Sequence, residues 1–263
     1  MIYKSIDKIK GSVLFAILSL FLGSASYTFS QTPEKSEARF SVFSFGIHYG
    51  ASIPMGDLGD RFGYMNNIGA KTEFLSGNNW YYRLSGNYHF GTQVNEDVLA
   101  NLRTSTGNII GNDKRFADIF MRGRLWHVTV GFGKLIPFEK RGKTGILVNA
   151  GIGFISHKVR VQDDSQTVPQ VLDFNLPGYD RLTGGLVTQQ QIGLYSNEAA
   201  RGVGVKYYIL MEMNQGFTEG LRTLNYSTNI SEKGQRRFDL LPCFKAGILL
   251  PIGVYEPGKQ YFY

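Results

Sequence analysis

The chain has 263 residues, with 28 Lys and Arg against 21 Asp and Glu for a formal charge of +7, 43% hydrophobic residues and 19% charged ones. Its mean hydropathy lies just below zero, and only one N-terminal stretch is apolar for long enough to engage a bilayer, which excludes a multi-helix membrane protein. A single cysteine excludes an intrachain disulfide framework and a cysteine-based zinc site, while 14% aromatic residues and 32 glycines fit a typical soluble enzyme poorly.

Residues 1–26 read as a cleaved secretory signal peptide. Lys4, Lys8 and Lys10 precede the apolar stretch Gly11–Ala25, and the small residues Ser24 and Ser26 stand three and one before a cleavage point at Tyr27. An uncleaved signal anchor is the alternative, although the stretch is short for a spanning helix of roughly 20 residues. Three lysines and one aspartate leave with the segment, so 25 basic residues face 20 acidic ones and the charge falls to +5. That balance is mild and dispersed, and no nucleic-acid partner is expected. Residues 27–39 follow as an N-terminal periplasmic segment.

From residue 40 to 250 the sequence repeats with a period of two, the signature of strands with two unlike faces. The first run places Phe43, Phe45, Ile47, Tyr49, Ala51 and Ile53 on one face, against Ser44, Gly46, His48, Gly50 and Ser52. The second sets Ile68, Ala70, Thr72 and Phe74 against Gly69, Lys71 and Glu73; the third sets Trp80, Tyr82, Leu84, Gly86, Tyr88 and Phe90 against Tyr81, Arg83, Ser85, Asn87 and His89. The fourth sets Trp126, Val128, Val130 and Phe132 against His127, Thr129, Gly131 and Gly133, and the fifth sets Ile146, Val148, Ala150, Ile152 and Phe154 against Asn149, Gly151, Gly153 and His157. A weaker sixth sets Leu186, Thr188, Gln190, Ile192 and Leu194 against Gln189, Gln191 and Gly193. The seventh sets Val203, Val205, Tyr207, Ile209, Met211 and Met213 against Lys206, Tyr208, Glu212 and Asn214, and the eighth sets Phe238, Leu240, Phe244, Ala246 and Ile248 against Asp239, Cys243, Lys245 and Gly247.

The connections alternate in length. Residues 54–67, 91–117, 158–185 and 215–236 are long, whereas Ser76–Asn79, Pro137–Lys143 and Ser196–Gly202 are short. This predicts an all-β fold, an eight-stranded antiparallel up-and-down transmembrane β-barrel with long extracellular loops and periplasmic termini, in the outer membrane of a Gram-negative bacterium. An apolar outer face requires every backbone group to be satisfied within the sheet, which only a closed barrel achieves, and a lumen of eight strands is narrow enough to be filled by side chains. A secreted lipocalin-like cup is the alternative, and Lys71, Glu73, Arg83, Lys206, Glu212, Asp239 and Lys245 would line it poorly. Residues 251–263 are expected to form a periplasmic tail.

With the strands placed, the chain resembles the small outer-membrane β-barrel proteins of Bacteroidota. The likeness is densest in YGASIPMGDLGDRFG (Tyr49–Gly63), NLRTSTGNIIG (Asn101–Gly111), PGYDRLTGG (Pro177–Gly185) and NQGFT (Asn214–Thr218). The terminal aromatics Tyr261, Phe262 and Tyr263 resemble the assembly signal read by the barrel-insertion machinery, set apart here by a tail containing Pro251, Gly253, Pro257 and Gly258. The resemblance implies a place and a fold more than an activity; some similar small barrels serve the type IX secretion apparatus.

All four histidines, His48, His89, His127 and His157, share the inward face. Imidazoles at matched heights on neighbouring strands suit a transition metal or a proton relay; the alternative, expected here, is a polar lumen network with no metal and no cofactor. Lys71, Glu73, Arg83, Lys206 and Lys245 gather near the short turns, either as an ionic constriction for anions or as a salt-bridged plug. Catalysis on lipid A or on protein would need a Ser–His–acid or Asp–His arrangement near the rim. Ser156 and His157 point to opposite faces, and His48 and Ser52 lie about 13 Å apart along one strand, so no catalytic residues are assigned.

In the loops, Asn95 is expected to cap a short helix, and Gly178, Tyr179, Asp180 and Arg181 to shape a loop that contacts another envelope protein. Arg122 and Arg124 sit just above the apolar band, as contacts for lipopolysaccharide phosphates or as an ordinary solvated strand end. The expected role is a non-catalytic envelope scaffold or accessory subunit. A narrow solute channel and a lipid-A-modifying or proteolytic enzyme are the alternatives.

Overall fold

A computed structural model describes residues 40–139, 142–172, 174–197, 206–256 and 259–262. The expected signal peptide, the segment 27–39, Val203, Val205 and Tyr263 lie outside the described residues. Within them, alternation becomes strand wherever the sequence carries it: β1 (Ser41–Ser52), the short β2 (Met55–Gly56), β3 (Met65–Leu75), β4 (Trp80–Gly91), β5 (Ile119–Pro137), β6 (Thr144–Asp163), β7 (Thr183–Ser196), β8 (Tyr207–Gly220), β9 (Arg236–Glu256) and the short β10 (Lys259–Phe262). Antiparallel pairing runs β1–β3–β4–β5–β6–β7–β8–β9, and β9 returns to β1, from Ser52 opposite Cys243 to Ser41 opposite Tyr255. The ring of eight is therefore closed, and no long edge is left to pair with another chain.

The two faces are those the sequence predicts. On β5 the outward Val130 is 55% exposed and the inward Thr129 1%; on β8 Met211 is 64% exposed and Glu212 3%. Aromatic rings stack along the outer wall, Trp80 on Phe132 at one end of the band and Trp126 near Phe154 at the other. Such a wall is suited to hydrocarbon, with the belt of rings where an interface would lie. Inward glycines leave room for large polar groups: a Cβ on Gly131 would stand 2.7 Å from the Arg83 guanidinium, and one on Gly69 2.5 Å from Nε2 of His48.

The ends differ. At one, Asn79 takes a left-handed backbone in the turn between β3 and β4, a conformation Asn tolerates. The Lys143 ammonium then donates to Asn79 Oδ1 and Ser76 O, both at 2.7 Å, tying two short turns together. At the other end β5 and β6, of 19 and 20 residues, outrun the 12-residue β4 and carry the long loops upward. The first long loop contains a helix, α1 (Asp57–Arg61).

Two expectations are corrected by this geometry. The C-terminal segment is no detached tail from residue 251: β9 continues to Glu256, with a register shift against β1 that takes up one residue beside Pro251, as a bulge accommodates a proline lacking an N–H. β10 then pairs back on β9, with Tyr261 opposite Val254 and Phe262 opposite Gly253. Asn95 starts no helix of its own; its side chain donates at 2.9 Å to the Gly59 carbonyl of α1, and the turn of helix that follows it in its own loop is Ala100–Leu102.

Candidate functional site

The inside of the barrel is filled in three stacked zones. At the short-turn end, Lys71 and Glu73 are buried side by side with Nζ to Oε2 at 2.7 Å. Tyr81 OH donates to the same carboxylate at 2.8 Å and Tyr195 OH donates to its other oxygen, while the Lys71 ammonium sits 3.5 Å from the ring centre of Tyr208. Leu75, Leu135, Leu147 and Leu249 pack beneath. Opposite charges buried side by side, with phenol donors completing their bonding, offset part of each other's loss of hydration.

The middle zone is a mesh of amides. Arg83 donates to Thr129 Oγ1 at 3.1 Å, to Asn149 Oδ1 at 3.2 Å, and to Ser85 and Gln189. None of those partners is charged, so neutral dipoles disperse the guanidinium charge. Glu212 accepts from Lys245 Nζ and from Asn214 Nδ2, both at 2.8 Å, and from Gln191. Lys245 reaches Asn87 Oδ1 at 2.7 Å, where His48 Nε2 also donates at 2.8 Å, and Tyr208 OH lies 2.9 Å from the other His48 nitrogen. One connected network thus joins strands on opposite sides of the ring. Above it, His89 bonds Ser52 Oγ at 2.9 Å and Asn67 Nδ2 at 3.0 Å. The His127 ring stands edge-on to His89, 5.1 Å between centroids, with its Nε2 3.9 Å from Glu212.

The predicted lumen set His48, Lys71, Glu73, Arg83, His89, His127, Glu212 and Lys245 is therefore brought together, over a greater height than the short-turn end alone. Asp239 stands apart and higher, accepting from Thr218 Oγ1 at 2.6 Å and bonded to His157 Nε2 at 2.9 Å. Lys206 does not join: it lies half-buried just ahead of β8, and the contact it makes is its carbonyl accepting Leu249 N–H at 2.9 Å. The enclosed void between these layers, lined by His48, Lys71, Arg83, Asn87 and Lys245 among others, measures about 10 Å³, roughly the room one water needs. A larger hollow of about 760 Å³ lies on the outer wall around Ala70 and Gly86. Among the described residues, no three of His, Cys, Asp and Glu converge as metal ligands would.

The third zone is a cap. Leu58 and Phe62 from the first long loop and Val98, Leu99 and Ile109 from the second pack with Val168, Val171 and Tyr179 from the third. All rest on Met65, Leu125, Ile155, Val187 and Leu241 at the top of the lumen. Ionic ties run over this core. Arg61 is buried and donates to Glu96 Oε2 at 2.9 Å, to Arg181 O at 2.9 Å and to Thr183 Oγ1 at 2.8 Å. Arg181 pairs with Glu96 and Glu232, each at 2.8 Å. Arg222 grips Asp180 with two nitrogens, at 2.8 and 2.5 Å. Burial lowers the pKa of Arg61, whereas the hydrogen bonds to Asp180 raise that of Arg222.

This arrangement corrects the expected role of Gly178, Tyr179, Asp180 and Arg181. All four are buried; they hold the long loops to one another instead of presenting themselves to a partner, because the carboxylate and guanidinium find complementary charges within the cap. Exposed apolar loop residues include Ile110, Phe116, Phe174 and Ile230, which alternation could not single out. Arg61 was also missed, although it stands inside the first loop motif. Arg122 and Arg124 face outward on β5 just beyond Trp126, opposite Arg160 and Lys158 of β6.

No protein-family model matches the sequence, and no curated protein matches it. Among solved structures, the chain is similar to Ail, the attachment invasion locus protein of Yersinia pestis, crystallised in complex with the heparin analogue sucrose octasulfate, with 12% identity and a TM-score of 0.40 over 82% of this chain and 100% of that one. It is also similar to neisserial surface protein A, with 10% identity and a TM-score of 0.36 over 82% and 99%. The N-terminal β-barrel domain of Pseudomonas aeruginosa OprF aligns at 8% identity and a TM-score of 0.34 over 81% and 100%. Likenesses this distant say nothing about ligand or activity.

Proposed function

We propose that the chain is an integral outer-membrane barrel with a closed lumen, a non-catalytic scaffold or accessory subunit that offers its ordered cap to another envelope component. The observation that carries this reading is the filled interior: a void of about 10 Å³ between the hydrogen-bonded layers is room for about one water and too small to pass a solute. The buried Ser52–His89 pair supports the non-catalytic part, since His89 is shut from solvent and its second nitrogen is taken by Asn67. Exposed Phe116 and Phe174 at the loop tips, held on a rigid scaffold, are the contact points for a protein partner. The resemblance of the loop motifs to the Bacteroidota barrels supports a setting beside a secretion or assembly complex. On this reading the barrel-insertion machinery engages the C-terminal strand during assembly.

Two measurements test the reading. Folded protein in planar bilayers should give no stepwise conductance; stable steps would turn the assignment to a narrow channel. Photo-crosslinkers placed at Phe116 and Phe174 in intact cells should capture one predominant envelope protein, and recovery of bulk lipid and abundant porins alone would defeat the scaffold assignment.

A further inference from the structure

On the outer wall, β5 and β6 bring four cations into one rectangle. Arg122 is directly opposite Arg160, and Arg124 directly opposite Lys158. Directly opposed side chains on an antiparallel pair have Cβ atoms about 5 Å apart, and same-face neighbours along a strand lie about 7 Å apart. Two like-charged pairs stacked in this way repel one another and destabilise the strand pair. Among the described residues, none of the four enters an ion pair. The contact they make is Arg124 Nη1 donating to the Gly123 carbonyl at 2.9 Å, and the buried Nε of Arg122 has no partner. Lys134 at the other end of the same strand is placed quite differently, with its ammonium 4.7 Å over the Trp80 ring. Elsewhere on the long-loop side Arg61, Arg103, Arg181 and Arg222 each have a carboxylate.

The level of the cluster matters as much as its charge. Trp126 and Phe154, 5.6 Å apart, lie one step below it and end the apolar band; Tyr88 and Phe90 stack beside them. Arg122 and Arg124 are half-buried, their stems against the wall, while Lys158 and Arg160 are exposed. A free anion would need only the cations. An amphiphile with phosphates above acyl chains meets the cations and the apolar wall together, and paired guanidinium groups suit phosphate oxygens bidentately.

We infer that Arg122, Arg124, Lys158 and Arg160 form a binding site for the phosphates of an outer-leaflet glycolipid with a lipid A-type headgroup, whose acyl chains lie along the wall beneath Trp126 and Phe154. The site extends the outer-membrane assignment and rests on it. The repulsion within the bare cluster is the stored cost that the bound phosphates relieve.

The test uses the full chain folded in neutral detergent, with the heat-dependent shift in gel mobility giving both the presence of the barrel and its unfolding midpoint. Diphosphorylated lipid A should raise the midpoint by several degrees, and dephosphorylated lipid A and inorganic pyrophosphate by much less. In R122Q/R160Q the midpoint without lipid should be unchanged or higher, because a repelling pair is gone, while the increment from lipid A should fall by at least half. Lys158→Gln should give a smaller loss of the same kind and serves if the double variant does not fold. Equal increments in wild type and variants would overturn the site, and a full increment from pyrophosphate alone would overturn the glycolipid. Absence of any heat-dependent shift would instead strike the barrel assignment on which the site rests.

Discussion

The middle of the lumen and the cap above it exclude water by opposite chemistry. Around Arg83 and Glu212 the space is filled by charges and amides whose bonds cross from strand to strand; around Phe62 and Tyr179 it is filled by aliphatic and aromatic side chains contributed by loops. The first belongs to the ring itself, since removing a network member leaves a buried charge between strands that cannot move apart. The second sits on the ring and can loosen while the strands stay paired. The two tasks are thereby separated: the polar zone holds the ring of strands, and the apolar zone holds the long loops to one another.

The difference can be broken hardest at Glu73. Glu73→Gln leaves the Lys71 ammonium buried beside phenol groups and an aromatic ring with no counter-charge. The folded barrel should lose roughly 3–5 kcal/mol, the usual effect of removing one partner of a buried pair, read as a lower midpoint for the gel-mobility shift. A double replacement, Lys71→Met with Glu73→Gln, should lose less, because no charge is left unpaired. If the single variant unfolds at the wild-type temperature, the ion pair at the short-turn end does not hold the ring.

Phe62→Ala probes the other region. Phe62 is 1% exposed, edge-on to His157, and its removal should cost about 3 kcal/mol. That cost should fall on the cap: loops 92–118 and 164–182 should be cleaved faster by protease while the barrel midpoint changes little. A midpoint drop matching that of Glu73→Gln would show that cap and ring unfold as one unit, and the proposed separation would fail.

Legibility in the sequence divides along the same line. Period-two alternation assigns a face to each strand residue, so the lumen set could be listed from spacing alone, even for the weak run carrying Gln189 and Gln191. Alternation contains no register between strands. Ser52 bonding His89 across β1, β3 and β4, and Arg83 reaching Gln189 on β7, depend on strand stagger and were therefore invisible. Lys206 had the right parity but lies before its strand begins. The cap was less legible still. Helix α1 is too short to show a period, and Gly178–Arg181 looked like a display loop because its charges find their partners only after distant loops meet. The basic rectangle is half visible: spacing places Arg122 and Arg124, but Lys158 and Arg160 fall in the connection 158–185 by spacing and in the upper part of β6 by structure.

The smallest effect, and the finest division, is expected within the cap itself. Arg222 grips Asp180 with two nitrogens, but its side chain is 30% exposed, and ion pairs so placed contribute about 1 kcal/mol or less. Asp180 would keep the Leu182 N–H, and the neighbouring ties of Arg181 to Glu232 and Ser227 would still span the same loops. Arg222→Ala should therefore speed proteolysis of loop 221–235 only slightly, less than Phe62→Ala does for its neighbours, and should leave the barrel midpoint where it was. Should the two variants open the cap equally, the ionic ties would rank with the apolar packing as its support, and the Gly178–Arg181 motif would be the latch of the cap rather than one tie among several.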